Sequence, residues 1–171
     1  MIAFGPVPSR RLGQSLGINN IPPKVCTYTC VYCQLGKAVK VQSERQPFYT
    51  TGEVVEATKK LLEDLESSSS VDYLTIVPDG EPTLDINLKQ TIIELRKLGY
   101  SVAVITNSSL LGDKEVRNAL FQADWVSTKL DGGDEKVWRK VNAPQRSLEF
   151  DKMMDGLKIF SHSFNGIHVT E

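Results

Sequence analysis

The chain has 171 residues, of which 40% are hydrophobic and 24% are charged, and its formal net charge is −1. We expect one domain over residues 1–171, and no apolar run reaches the roughly 18 residues that a membrane span needs. The near-zero charge gives no general attraction to nucleic acid. The first residues lack a signal-peptide pattern, so we expect a cytoplasmic protein with no membrane attachment.

Strands and helices are predicted to alternate from the start of the chain. Residues 13–21 indicate a first strand that runs into a loop. Thr50 and Glu53 have the spacing of a capping box, and the apolar residues after them predict a helix that ends at the serines 67–70. Residues 73–77 are rich in sheet-forming residues and predict a second strand.

The middle of the chain continues the same alternation. Asp85 is predicted to cap a second helix, which ends before Gly99. Residues 101–106 are apolar through their centre, as in a strand that is buried on both faces. Asp113 is predicted to cap a third helix, and residues 125–130 to form a fourth strand.

Two helices and a fifth strand are predicted in the last 40 or so residues. Asp134 is expected to begin a short helix, and Ser147 a longer one. Trp138 and Met153 are expected to pack in the core. Residues 166–171 have the pattern of a strand, and His168 within them is interpreted as a core histidine with a satisfied ring rather than a catalytic one.

This alternation predicts an α/β fold in which parallel strands are covered by outer helices. In such sheets the site gathers at the carboxyl ends of the strands. Polar segments fall at those ends, namely residues 79–83, 106–109 and 129–133. We therefore expect these three segments to meet the loop that follows the first strand.

That loop holds every cysteine in the chain, Cys26, Cys30 and Cys33. Three thiols are one short of the four ligands of a closed zinc or iron–sulfur site, which leaves a coordination position open. The alternatives are a zinc site and inert buried thiols. Zinc would need a fourth ligand, and His162 and His168 are both distant in sequence.

The spacing Cys-x3-Cys-x2-Cys, with Tyr32 directly before the last cysteine, resembles the radical SAM enzymes. The resemblance covers the whole chain and implies a partial (β/α) TIM-type barrel. It also implies a 4Fe–4S cluster held by Cys26, Cys30 and Cys33, with S-adenosylmethionine bound to the fourth iron. In that family, one electron from the cluster releases methionine and a 5′-deoxyadenosyl radical, which abstracts hydrogen from a substrate.

The resemblance extends to the segment after the second strand. Residues 79–82, Asp-Gly-Glu-Pro, are similar to the Gly-Gly-Glu-Pro element of the family, with Asp79 in place of the first glycine. The resemblance implies that Gly80, Glu81 and Pro82 help to bind the amino group of S-adenosylmethionine, and that Tyr32 lies near the adenine. It further implies ribose and carboxylate contacts from residues at two later strand ends, Asn107, Ser108, Lys129 and Asp131.

Each of these residues also has a simpler interpretation. The Gly80 to Pro82 segment is compatible with an ordinary turn before a helix, and Asn107 with Ser108 is compatible with another turn. Lys129 and Asp131 are equally compatible with surface positions. An electron-transfer or interaction protein that carries a cluster is the alternative function, but it would not need a pocket for an amino group.

The resemblance leaves the substrate and the catalytic residues open. The substrate is an RNA, a protein or a small molecule, and the electron donor is expected to be external, such as a flavodoxin or ferredoxin. Six basic residues and one acidic residue precede position 46, which favours an anionic substrate. The family core has six β/α units, so we expect the last unit to be absent here and a partner or further segment to cover the C-terminal edge of the sheet.

Overall fold

The computed structural model describes residues 1–65 and 70–171. Its strands are β1 (Ala3–Ser9), β2 (Gly13–Ile18), β3 (Val25–Cys26), β4 (Lys40–Val41), β5 (Tyr73–Ile76), β6 (Ser101–Thr106), β7 (Trp125–Thr128) and β8 (Ile167–Thr170). Its α-helices are α1 (Thr51–Asp64), α2 (Leu88–Arg96), α3 (Lys114–Leu120), α4 (Glu135–Asn142) and α5 (Phe150–Ser163), and a 3-10 turn covers Pro82–Leu84. Three of the serines expected to end the first helix, 67–69, lie outside the described residues.

Six strands form one sheet in the order β1-β2-β5-β6-β7-β8, and β3 pairs with β4 separately. From β2 to β8 all neighbouring strands are parallel. The α/β class and the parallel order are therefore confirmed. The described sheet is open, with β1 and β8 at its two edges, so it is not a closed barrel. The partial TIM-type barrel stays a prediction.

The strand β1 was absent from the sequence prediction. It pairs antiparallel with β2, so the chain begins with a hairpin whose turn comprises residues 10–12. Pro6 and Pro8 lie within β1, and prolines argue against a strand in the middle of a sheet. They are tolerated here because β1 is an edge strand, where one row of backbone groups needs no partner.

The helices cover one face of the sheet, and the main core lies between the helices and that face. Side chains alternate between the two faces of a strand. Of the residues on the covered face, Leu16, Leu74, Val104 and Val126 are completely buried. The opposite face carries only a small cluster of fully buried apolar residues, Leu12, Ala103 and Trp125. Trp138 and Met153 are buried in the main core, as predicted.

Three of the predicted helix starts are confirmed by their caps. Thr50 and Glu53 form both hydrogen bonds of a capping box at the start of α1. Asp113 caps α3, and Asp134 caps α4 by accepting a hydrogen bond from the backbone N–H of Val137. In the described ranges, no helix is long and apolar enough to cross a bilayer.

Two predicted helix starts are wrong. Asp85 does not cap α2, because it lies buried after the 3-10 turn, where it accepts hydrogen bonds from Asn20 and from the backbone N–H of Asn87. Ser147 does not begin α5, because its hydroxyl donates to Gln145 within a turn. The helix α5 starts at Phe150 instead.

Candidate functional site

A cavity of about 370 Å³ opens beside the carboxyl ends of β5, β6 and β7. All three cysteines line it, with five of the other predicted site residues, Tyr32, Gly80, Glu81, Asn107 and Lys129. The structure thus brings most of the predicted site together around one cavity. The remaining predicted residues, Pro82, Ser108 and Asp131, lie outside its lining.

The cysteine loop offers three free thiols to this cavity. Cys33 is exposed, whereas Cys26 and Cys30 are half-buried. Burial raises the pKa of the Cys26 thiol to about 11, and the nearby Glu81 carboxylate adds to that shift. Thiolates are the ligands that iron–sulfur clusters use, so the donor set fits such a cluster chemically.

The described residues do not gather these donors into a finished metal site. Within ranges 1–65 and 70–171, no group of three His, Cys, Asp or Glu side chains is arranged to hold a metal ion. Neither histidine lines the cavity: His168 hydrogen-bonds to Thr128, and His162 to the Lys158 carbonyl. A histidine-completed zinc site is therefore not supported by the geometry of the described chain.

Glu81 is completely buried and joins the loops after β5 and β6. Its Oε1 accepts hydrogen bonds from the Thr83 hydroxyl at 2.6 Å and the Thr106 hydroxyl at 2.7 Å. Its Oε2 accepts one from the backbone N–H of Asn107 at 2.8 Å. Burial raises the pKa of this carboxyl, and the hydrogen bonds oppose that shift. Protein donors thus already hold the carboxylate at the floor of the site.

Gly80 is needed for contact between the loop after β5 and the strand β3, which contains Cys26. A Cβ atom at this position would lie 2.0 Å from the carbonyl oxygen of Val25, which is backbone. The next residue, Glu81, donates its N–H to the same carbonyl at 3.1 Å. The missing side chain of Gly80 thus permits a close approach of the loop to the protein backbone at Val25.

Asn107 reaches the cysteine loop from the end of β6. Its amide donates to the Thr27 hydroxyl at 2.8 Å and contacts the Cys26 sulfur at 3.6 Å. Its carbonyl also accepts a hydrogen bond from the N–H of Ser109, so the simpler interpretation as a turn residue holds at the same time. Ser108 is completely buried in a left-handed conformation with φ of 71°, and it is not among the residues that line the cavity.

Tyr32, Lys129 and Asp131 contact one another at the rim. The Lys129 ammonium lies 4.3 Å from the centre of the Tyr32 ring, a cation–π contact. The Tyr32 hydroxyl donates to Asp131, and burial together with this bond raises the pKa of the tyrosine. Asp131 therefore supports a cavity residue without lining the cavity itself.

Asn142, at the end of α4, was not predicted as a site residue. Its buried side-chain amide contacts the Cys30 sulfur at 3.4 Å and donates to Asp131 at 2.6 Å. The last carbonyls of α4 accept hydrogen bonds from the backbone N–H groups of Thr29 and Val31. Helix ends leave such carbonyls without partners in the helix, and here the cysteine loop supplies the donors.

The fold and the site define a class of α/β protein in which a parallel sheet presents a three-cysteine loop at its strand ends. Residues 20–170 match the family model of the Radical SAM superfamily, and the chain belongs to that superfamily. This match confirms the resemblance inferred from the cysteine spacing. It also confirms the prediction of a radical SAM enzyme at the level of the class, but it does not identify the reaction.

The chain is similar to longer proteins. It is 47% identical over 170 residues to a UPF0026 protein of Methanocaldococcus jannaschii, a match that covers 99% of this chain and 53% of that protein. It is 40% identical over 164 residues to a protein named GTPase Obg of Brachyspira hyodysenteriae, covering 95% of this chain and 24% of that one. The chain thus spans about half the length of the first relative and a quarter of the second.

Solved structures show the same fold. The structure of TYW1 with a lysine-pyruvate adduct bound matches with a TM-score of 0.63 at 15% sequence identity. The match covers 91% of this chain and 54% of that one. At this identity the likeness concerns the fold alone, which supports the α/β assignment.

Proposed function

We propose that this chain binds a 4Fe–4S cluster and S-adenosylmethionine and starts radical chemistry on a substrate. The observation that carries the proposal is that three free thiols with the superfamily spacing line the same cavity as Glu81 and Asn107. When bound, these groups would supply one-electron chemistry: the cluster would provide the electron for reductive cleavage of S-adenosylmethionine, and hydrogen abstraction from the substrate would follow. The difficult chemistry belongs to the cofactors, and the protein supplies position and exclusion of water.

The cysteines and the two residues beside them would have separate roles in binding. Cys26, Cys30 and Cys33 would hold the cluster, which leaves one iron for the methionine part of the cofactor. Glu81 would favour the methionine ammonium through its buried negative charge, which its four protein hydrogen bonds hold in a fixed position. Asn107 lies between the Cys26 sulfur and the Glu81 carboxylate, within reach of both groups.

The rim residues would bind the rest of S-adenosylmethionine. Tyr32 offers an aromatic face for the adenine, and Lys129 offers a cation for the carboxylate. Pro82, Ser108 and Asp131 lie outside the cavity lining, so we propose that they position the loops on which the contact residues stand.

The proposal also includes the cover of the open sheet edge, the electron donor and the cell compartment. The open sheet would form part of a (β/α) barrel, and a partner or further segment would cover the edge of β8. An external flavodoxin or ferredoxin would supply the electron. Three reduced cysteines suit the cytoplasm, where thiols stay reduced.

Electron transfer without cleavage of S-adenosylmethionine is the second candidate function. It would explain the cysteine loop and its exposed Cys33. It would not explain a cavity of about 370 Å³ beside the thiols, with a buried carboxylate in its wall. The size falls within the roughly 300–1,000 Å³ of small-molecule sites, which favours the enzyme.

Anaerobic reconstitution of the chain with iron and sulfide tests the proposal. With dithionite and S-adenosylmethionine, the reconstituted protein is expected to release 5′-deoxyadenosine and methionine in equal amounts. The assay needs no substrate, so it applies to a chain that spans half of its relative. A protein with a full cluster that releases neither product would overturn the proposal and leave electron transfer.

Cys30→Ala is the companion variant for the ligand assignment. It is expected to lose the brown chromophore while keeping the melting temperature of the apoprotein, because Cys30 is only half-buried. Retention of the chromophore would show that Cys30 is not a ligand. The comparison of apoprotein melting curves separates loss of a ligand from loss of the fold.

A further inference from the structure

A second cavity of about 260 Å³ lies on the face of the sheet that the helices do not cover. The turn of the first hairpin, residues 10–12, forms one wall of it, and Trp125 and Glu171 form another. The cavity has no part in binding the cluster or S-adenosylmethionine as proposed above. None of the residues predicted for the site lines it.

The hairpin turn lies over the uncovered face of the sheet and makes two contacts with it. Leu12 packs against Ala103 and Trp125 in the centre of the sheet. Arg11 continues to the far edge and forms an ion pair with Glu171, which directly follows β8. The turn is therefore held by one buried apolar contact, through Leu12, and by one exposed ion pair, through Arg11, and Arg10 lies between Arg11 and the strand β1 with its side chain exposed.

The charges of this cavity are predominantly positive. Arg10 and Arg11 line it, and Glu171 is the one acidic residue in its lining. Glu171 is paired with Arg11, whereas Arg10 has no ion-pair partner among the residues that the structure describes. An exposed guanidinium without an ion-pair partner is a suitable anchor for a carboxylate or phosphate.

Ile105 connects the two cavities, because it lines both. It is 37% exposed, although the other central residues of β6 are buried. An exposed aliphatic side chain in the middle of a sheet, between two cavities, provides a surface for the apolar part of a ligand. A molecule held at Arg10 can thus extend over Ile105 to the cofactor cavity.

We propose that the second cavity binds the anionic group of the substrate, and that the substrate is a small organic anion with a carboxylate or phosphate. Arg10 would be the primary anchor, and Arg11 a second one that Glu171 partly neutralises. The body of the substrate would lie over Ile105, with its reacting C–H bond at the cofactor cavity. This inference rests on the proposed function for the reaction, but the anion site itself does not.

The size of the cavity favours a small molecule over RNA. A volume of about 260 Å³ lies just below the roughly 300–1,000 Å³ of small-molecule sites and suits only a small anion or the anionic part of a ligand, whereas an RNA chain needs an open basic groove with aromatic platforms. Among the residues that line the cavity, only Arg10 and Arg11 are basic, and Trp125, the only aromatic residue, is 5% exposed. A buried tryptophan does not offer its face to a base.

NMR of the apoprotein tests the site without a cluster. The chain has two tryptophans, and only Trp125 lines the second cavity, while Trp138 is buried in the main core. Titration with inorganic phosphate and, separately, with malonate is expected to shift the Trp125 indole N–H signal and not the Trp138 signal. The stronger of the two ligands indicates whether the natural group is a phosphate or a carboxylate.

Three variants separate a built site from general attraction. Arg10→Gln is expected to weaken binding about fivefold to tenfold, as is typical when one partner of a charge-assisted contact is removed. Arg146→Gln removes the same charge from another exposed position and is expected to leave binding unchanged. Glu171→Gln frees Arg11 and is expected to strengthen binding about twofold to fivefold, the size of an exposed ion pair.

The inference is overturned if neither anion shifts the Trp125 signal, or if Arg10→Gln and Arg146→Gln weaken binding equally. It is also overturned if a short single-stranded RNA binds more tightly than both anions and loses affinity equally in the two variants. The proposed function is measured separately, by release of 5′-deoxyadenosine. Either result can therefore fail while the other stands.

Discussion

The side-chain amide of Asn142 contacts the sulfur of Cys30 at 3.4 Å and at the same time donates to Asp131 at 2.6 Å. Through this one buried group, the end of α4 is joined both to a proposed cluster ligand and to the residue that holds the Tyr32 hydroxyl. A second contact of this kind joins β6 to the loop, where the Asn107 amide contacts the Cys26 sulfur at 3.6 Å. Two of the three thiols thus have an amide neighbour.

Asn142→Ala is expected to loosen the cysteine loop and to destabilise the apoprotein by about 1–2 kcal/mol, because the change leaves the half-buried Cys30 and Asp131 without this donor. In the reconstituted protein it is expected to lower the reduction potential, since hydrogen bonds to sulfur favour the reduced cluster. Urea unfolding and a redox titration followed by EPR measure the two effects. Asn118→Ala, on the surface of α3, is the control. An unchanged potential would show that the amide supports only the fold.

Gly80→Ala is expected to separate the loop after β5 from the strand β3. The added methyl group would lie 2.0 Å from the Val25 carbonyl, a contact that only backbone movement relieves. We expect a loss of about 2 kcal/mol or more in the free energy of unfolding, together with weaker binding of S-adenosylmethionine. Gly133→Ala is the matched control, because nothing lies within 4 Å of its Cβ position. Equal effects of the two changes would contradict the close approach at Gly80.

Periodicity predicted the parallel part of the sheet because β5, β6 and β7 are largely buried and the signals of all its strands are local. The predicted fourth strand, 125–130, contains β7, and the predicted fifth, 166–171, contains β8. The hairpin strand β1 escaped prediction because Pro6 and Pro8 are acceptable only at an edge. Whether a strand lies at an edge is a property of the assembled sheet, which a local pattern does not contain.

The site was predictable where spacing alone carries the chemistry, as for Cys26, Cys30 and Cys33. It was not predictable where a contact joins distant segments. Asn142 meets Cys30 across 112 positions of the chain, and no local pattern marks it as a site residue. Asp85 has a good helix-capping context, but burial beside Asn20 gave its carboxylate other donors.

Glu81→Gln tests whether the buried negative charge serves the cofactor. Glutamine keeps the size of the side chain and the bonds from Thr83 and Thr106, but its amide would face the N–H of Asn107 as a second donor. We expect a moderate destabilisation of about 1–3 kcal/mol. We also expect at least about tenfold weaker binding of S-adenosylmethionine, because an ammonium loses a charged neighbour. Calorimetry on the reconstituted protein measures the affinity, and unchanged affinity would remove Glu81 from the binding residues.

Asp85 is expected to make the stability of the protein depend on pH in the acidic range. Burial raises the pKa of its carboxyl to about 6, against the opposing effect of hydrogen bonds from Asn87 and Asn20 and of the nearby Arg45. Between the ordinary pKa of an aspartate, 3.8, and about 6, the folded protein therefore holds a proton that the unfolded chain has released. Under that condition the free energy of unfolding falls as the pH rises.

Asp85→Asn removes this titration and isolates its contribution. Urea unfolding of both proteins from pH 4 to pH 7.5, a range that brackets the shift, gives the wild-type stability minus that of the variant. This difference is expected to fall with rising pH by an amount on the order of 2 kcal/mol, most of it below pH about 6, and then to stay level. A difference that is constant or that grows with pH would mean that the buried Asp85 is charged throughout, held so by Asn20, Asn87 and Arg45.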